Sequence, residues 1–200
     1  MNKTQKTVIE NIPPSPVIDA VDVCVIGGSC TGVFAALRAS AYGASVAIVE
    51  NNGFFGGTAT AGLVPVWHSF YSTDGEKEII KGLSRQLLDY LIDNGNAVLN
   101  SKTSASVFAY INPAGLISAL DRAIVSNRNI RPFLHTRFVA AIRDNAGRVT
   151  HAIIEDKSGR RAIEAKFFID ASGDADLLHR AGFETWRPEK KLLQPHTTCA

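Results

Sequence analysis

The chain has 200 residues, enough for one domain with a hydrophobic core, and its 46% hydrophobic and 20% charged residues are typical of a globular protein. A formal net charge of +2, with no basic run, gives no ground for a nucleic-acid or membrane-surface partner. The apolar runs are strand-length, and the polar Met1–Pro16 stretch lacks the apolar core of a signal peptide, so no membrane association and a cytoplasmic location are expected.

Residues 1–21, with Pro13-Pro14-Ser15-Pro16, read as an irregular leader. An apolar run from Asp22 to Ile26 then enters a turn of small residues, Gly27-Gly28-Ser29-Cys30-Thr31-Gly32. An Ala-rich helical stretch, Val33 to Tyr42, follows, and a second apolar run from Ala44 to Val49 ends on Glu50. Strand, glycine turn, helix, strand and acid, in that order, make the βαβ unit that holds a dinucleotide. Gly27 permits the reversal out of the strand and Gly32 lets the helix pack closely on it. The helix N-terminus offers unpaired N–H groups and a positive dipole end to a pyrophosphate. Glu50 lies about 18 residues beyond Gly32, against the roughly 20 typical of an acid that binds a ribose hydroxyl. The pattern departs from the usual three glycines in having Ser29 at the second position, where a hydroxyl is expected to crowd a phosphate slightly and to add a donor.

Three cysteines, Cys24, Cys30 and Cys199, show no C-x-x-C spacing, and an odd count argues against a disulfide framework. Cys24 reads as a small core residue of the first strand. Cys30 sits where a helix N-terminus would lower its pKa, or is simply small enough for the turn. No group of His, Cys and acidic residues has metal-ligand spacing, so no metal is expected.

Asn51 to Gly62 form a loop rich in glycine, with Phe54 and Phe55 and little charge, and its length points to a functional role. A helix is expected from about Glu78 to Asn94, with Leu83, Leu87, Leu88, Leu91 and Ile92 on one side and Gly95 as its stop. A second begins at Asn112-Pro113, a cap followed by proline at the first helical position, and runs to about Asn127. Four short strand-like runs follow: Arg131–Leu134, Thr136–Arg143, Val149–Glu155 and Arg161–Ala165. Turns at Asn145-Ala146-Gly147 and Lys157-Ser158-Gly159 separate them in part, giving an antiparallel meander with Lys157, Arg160 and Arg161 on a solvated face. A buried strand, Lys166–Asp170, then leads through Ala171-Ser172-Gly173-Asp174 to a short helix, Leu177 to Ala181, stopped by Gly182. This second strand–turn–helix unit should face the same crevice as Gly27–Gly32. The fold class expected is α/β: a parallel sheet with helices on both faces and an inserted antiparallel meander.

Four motifs in order, DVCVIGGSCTG, IVENNGFFGGTATAG, HTRFVAAIRDNAGRVTHAIIEDKSGR and FIDASGDADLLHRAG, resemble the FAD-dependent oxidoreductases of the glutathione-reductase-like superfamily. The resemblance covers about Pro16 to Pro195 and implies FAD as cofactor. It implies that Gly27, Gly28, Ser29, Cys30, Thr31 and Gly32 hold the pyrophosphate, with Glu50 and the adjoining Asn51 at the adenosine ribose. Gly56, Gly57 and Thr58 would pass the phosphates and ribitol, Phe138 would offer backbone groups to adenine, and Ala171, Ser172, Gly173 and Asp174 would approach from the second crossover. Ser172 stands where the family usually has Thr. Such proteins are about twice this length, so the chain reads as the N-terminal part of a longer protein. Residues 22–182 would then form the FAD-binding domain, and residues 183–200 the start of a substrate domain.

On this reading the flavin exchanges a hydride or electron pair with a small organic substrate and an electron acceptor. Trp67 and His68 follow the glycine-rich loop, and His68 is the one histidine placed to serve as acid or base near the flavin. His135, His151, His179 and His196 read as structural or exposed. Two other readings stand beside this one: an NAD-dependent dehydrogenase, favoured by the fingerprint alone, and a non-catalytic flavin-binding module.

Overall fold

The computed structural model describes residues 7–100 and 107–193, so Cys199, His196 and the Gln194–Ala200 end lie outside the described residues. Its elements in chain order are β1 (Val17–Ile26), α1 (Cys30–Ala41), β2 (Val46–Val49), β3 (Val66–His68), α2 (Leu83–Asp93), β4 (Ala97–Leu99) and β5 (Phe108–Ile111). They continue with α3 (Pro113–Val125), β6 (Ile130–Phe133), β7 (Arg137–Arg143), β8 (Val149–Asp156), β9 (Gly159–Asp170) and α4 (Asp176–Arg180).

A six-stranded sheet in the order β6-β2-β1-β9-β8-β7 carries the molecule. β1, β2, β6 and β9 run parallel, whereas β7 and β8 pair antiparallel and join through β9. The apolar runs from Cys24 to Ile26 and from Val46 to Val49 are continuous because both faces of these strands are covered, as parallel strands require. On one face Val25, Val46 and Ile48 pack against Val33 and Ala36 of α1, Leu88 and Leu91 of α2, and Leu116, Leu120 and Ile124 of α3. Each such aliphatic side chain contributes about 1.5–3 kcal/mol when fully buried. On the other face Cys24, Ile26, Ala47 and Val49 meet Phe138, Ala152 and Ile154 of the antiparallel arm and Leu177 of α4. Three helices therefore lie on one face, while the arm and one short helix close the other.

Several elements differ from the sequence reading. β1 begins at Val17, within the stretch read as irregular, because Val17–Ala20 find partners in Ala162–Glu164. The run at Arg131 lies in the parallel sheet beside β2 and takes no part in the meander. The two runs Arg161–Ala165 and Lys166–Asp170 are one strand of twelve residues, whose first half pairs with β8 and which pairs with β1 from Ala162 to Asp170. Arg160 and Arg161 are half-buried, and Arg161 is ion-paired with Asp156. α2 starts at Leu83 because Gly82 takes φ +77° and ψ −136°, and the preceding Ile79 N–H is held by Phe70 O at 2.9 Å. α3 starts as expected, with Asn112 Oδ1 accepting from the Ala114 N–H at 3.0 Å. A second sheet, β3-β5-β4, is antiparallel and was not foreseen.

Candidate functional site

The C-terminal ends of β1, β2 and β9 lie side by side, with Ile26 paired to both Val49 and Asp170. The turns that leave these three strands bound a cleft of about 450 Å³. Carboxyl ends of parallel strands are where open α/β sheets take their ligands.

The turn after β1 is fixed by close packing. Gly27 has φ +98°, and a Cβ there would stand 2.4 Å from Ala171 O, so the end of β9 lies directly against it. A Cβ at Gly32 would fall 1.9 Å from Gly27 O, which brings α1 down onto the turn. Ser29 is the N-cap of α1: its Oγ accepts from the Gly32 N–H and donates to Ala171 O, both at 3.3 Å. The serine that replaces the second fingerprint glycine thus ties the helix to β9. Its hydroxyl proton is held by Ala171 O and is not a free donor for a phosphate.

Glu50 is buried, and its carboxylate fastens the same turn from the other side. Oε2 accepts from the Gly28 N–H at 2.7 Å, while Oε1 accepts from the Asn52 N–H at 2.7 Å and from Asn52 Nδ2 at 2.8 Å. Oε1 is fully used and Oε2 keeps one acceptor position. The glycine-rich loop is also tied in. Gly56 N donates to Gly28 O at 2.8 Å, Phe55 N to Asp121 Oδ1 at 3.2 Å and Thr60 Oγ1 to Phe55 O at 3.0 Å. Phe55 is 1% exposed, so this ring is a core anchor, and of the loop's glycines Gly57 lines the cleft. At the end of β9, Asp170 Oδ1 accepts from Ser172 Oγ at 2.6 Å. Ser172 Oγ accepts from the Asp176 N–H at 2.9 Å, and Asp170 Oδ2 accepts from the Leu178 N–H at 3.0 Å, which together start α4.

Of the residues singled out in the sequence, Gly27, Ser29, Glu50, Asn51, Gly57, Thr58, Phe138, Ala171, Ser172 and Gly173 line this cleft. Gly28 stands behind it, where a Cβ would strike the Phe55 ring at 2.5 Å, and Gly32 and Gly56 are likewise buried in the framework. Asp174 is exposed and is not part of the lining. Cys30 and Thr31 point away, into a second cleft of about 350 Å³ that also contains Trp67 and His68. Burial pushes the Cys30 thiol up to about 11, opposite to the lowering a helix N-terminus would give, and Sγ lies 3.5 Å from Gly56 O. Cys30 is therefore a small packing residue of the turn. Asn52, Thr136, Arg137, Asp176 and Arg180 line the first cleft without having been foreseen. Arg180 is held there by a 2.8 Å bond from its guanidinium to Val139 O. Among the described residues, no group of three or more His, Cys, Asp and Glu could hold a metal ion, and no helix is long and apolar enough to cross a membrane.

The sequence profile of the family described as FAD dependent oxidoreductase matches residues 22–199. The chain belongs to that family. FAD is the cofactor on which the family depends. No curated protein matches the sequence. Among solved structures, THI4 of Thermovibrio ammonificans has a similar fold, at TM-score 0.57 and 17% identity, over 80% of this chain and 61% of that one. A geranylgeranyl bacteriochlorophyll reductase-like protein of Thermoplasma acidophilum aligns at TM-score 0.54 and 18% identity, over 83% of this chain and 43% of that one. PqsL of P. aeruginosa, in complex with 2-aminobenzoylacetate, aligns at TM-score 0.56 and 13% identity, over 86% of this chain and 48% of that one. The chain thus spans about three fifths of the first of these proteins and under half of the other two. The residues of the first cleft fit a dinucleotide. Gly27, closed against the Ala171 backbone, keeps the turn free of a bulky side chain, and a buried carboxylate keeps one acceptor position free.

Proposed function

We propose that this chain is the FAD-binding part of a flavin oxidoreductase of the glutathione-reductase-like type, which exchanges a hydride with a small organic substrate. The observation that carries the reading is the convergence of Gly27, Ser29, Glu50 and Gly57–Thr58 on one cleft at the ends of three parallel strands. Bound FAD supplies the electron-pair chemistry; the chain binds it, orients it and keeps water away. Oε2 of Glu50 accepts a ribose hydroxyl while still holding the Gly28 N–H. The first turn of α1 would present its uncapped N–H groups and its dipole to the pyrophosphate, with Asn51, Gly57, Thr58 and Ser172–Gly173 along its path. Backbone groups of Phe138 would meet adenine, and Arg137 and Arg180 supply positive charge at the cleft wall. His68, exposed at the end of β3, is the candidate for moving a proton at the substrate. The redox partners are a small-molecule substrate and an electron acceptor.

The test is an absorbance spectrum of the purified chain, extraction of bound ligand, and calorimetric titration with FAD and NAD separately. Flavin absorbance or saturable FAD binding, with no binding of NAD, supports the reading. Binding of NAD without flavin returns the chain to a nicotinamide dehydrogenase. Flavin that binds yet is reduced by no donor favours a non-catalytic module.

A further inference from the structure

The second cleft, of about 350 Å³, opens between β3 and the first turns of α1 and α2. Phe70, 3% exposed, forms its floor, and Phe34 and Trp67 form a wall in which the two rings meet edge-to-face at 6.3 Å and 72°. That contact fixes the Trp67 ring in one orientation. The polar groups on the lining sit on short side chains: the hydroxyls of Thr31, Ser69 and Ser84, the last donating to Lys81 O at 3.3 Å, with the His68 imidazole beside them. Apolar and aromatic walls with a few convergent polar groups are the composition of small-molecule sites. Cys30 belongs to this lining, and Ser29, its neighbour in sequence, belongs to the first cleft, so the two clefts flank one turn of α1.

We infer that this second cleft binds a small flat ring compound, aromatic or conjugated, carrying one hydrogen-bond-accepting carbonyl or carboxylate group. The ring of the ligand lies flat on one of the Trp67 and Phe34 rings and meets the other edge-on, and the accepting group takes hydrogen bonds from Thr31 or Ser69. The assignment of this ligand as the redox substrate rests on the flavin reading above, because only an occupant of the neighbouring cleft gives it a reaction partner. Binding itself does not depend on that reading.

Trp67 and Trp186 are the two tryptophans of the chain, so Trp186→Phe leaves the Trp67 indole N–H as a single NMR probe. Benzoate and 2-naphthoate are the ring probes, and propionate is the control with the same head and no ring. Saturable shifts of the Trp67 signal are expected with both ring acids, at affinities up to about tenfold above that of propionate, a factor of ten being about 1.4 kcal/mol. Phe34→Ala should weaken naphthoate severalfold. Ser69→Ala, which removes a hydroxyl and leaves the walls, should weaken both acids with an unchanged melting temperature. The shifts should persist after addition of equimolar FAD. Equal response to propionate, or no saturable shift with any acid, overturns the assignment. So does a shift caused by FAD alone that blocks naphthoate, because the cleft then belongs to the flavin itself. A chain that binds naphthoate here and no FAD keeps the ring site and removes the redox role, so the two readings fail separately.

Discussion

Glu50 gives the sharpest test of how the glycine turn is held. Replacement by glutamine keeps the length and shape of the side chain but leaves one carbonyl acceptor and an NH2 group in place of two carboxylate oxygens. If the remaining oxygen stays with Asn52, the NH2 faces the Gly28 N–H, donor against donor, in a buried site where the wild-type bond is 2.7 Å. An unsatisfied buried donor costs about 1–3 kcal/mol, and loss of charge from the two Asn52 bonds adds roughly 1 kcal/mol. The sum is about 2–4 kcal/mol, which in a domain of this size lowers the melting temperature by roughly 4–16 °C. Urea unfolding followed by circular dichroism, with the midpoint and slope fitted separately, reads the change. A midpoint shift at constant slope is expected, and FAD affinity should fall at least about tenfold because the turn is no longer held where the ribose contact needs it. Asn52→Ala, which removes only the Nδ2 bond, should cost about 1 kcal/mol. A loss below about 0.5 kcal/mol in Glu50→Gln, the size of an ordinary surface change, would refute the role of the carboxylate as a fastener of the turn.

Ser29→Ala should lower stability by about 1 kcal/mol through loss of the N-cap. Because the Ser29 hydroxyl is held by Ala171 O, FAD affinity measured by fluorescence quenching should change less than about threefold, under 1 kcal/mol. Burial pushes the Cys24 thiol up to about 12 and Cys30 up to about 11, so in the folded chain both keep their protons through pH 9–10 while the unfolded chain loses them. Stability from these two groups is full below the unfolded thiol value and falls as pH rises towards the folded values, by about 1.4 kcal/mol per pH unit per thiol. Urea midpoints measured between pH 8 and pH 10 should therefore decline, and Cys24→Ala should lessen the slope.

The parts of the fold legible in the sequence were those set by local chemistry. Ser29 and Asn112 cap helices because a short polar side chain satisfies first-turn N–H groups, and that requirement is visible in a few consecutive residues. The parts that escaped depend on partners far along the chain. Charged Glu164 and Lys166 break the apolar pattern of β9, yet the strand continues because β1 pairs with it across that point. β3, β4 and β5 are three or four residues each, too short to show a period, and exist through pairing between distant segments. The same holds in the cleft. Gly27, Glu50 and Gly57 lie in motifs, whereas Thr136, Arg137 and Arg180 reach it only through the folding-over of β7 and the placement of α4.

The pairing of β1 with β9 has a consequence for how the chain is made. Asp22 and Lys166, joined across these two strands at 2.7 Å, are 144 positions apart. At about 5–20 residues per second of synthesis, β1 waits roughly 7–30 s on the ribosome before its second neighbour emerges. Over that interval the nascent chain holds β2 on one side of β1 and an open hydrogen-bonding edge on the other. The strand at the middle of the sheet thus stays half-paired until β9 is made, and this exposure to aggregation lasts until Asp170 leaves the exit tunnel.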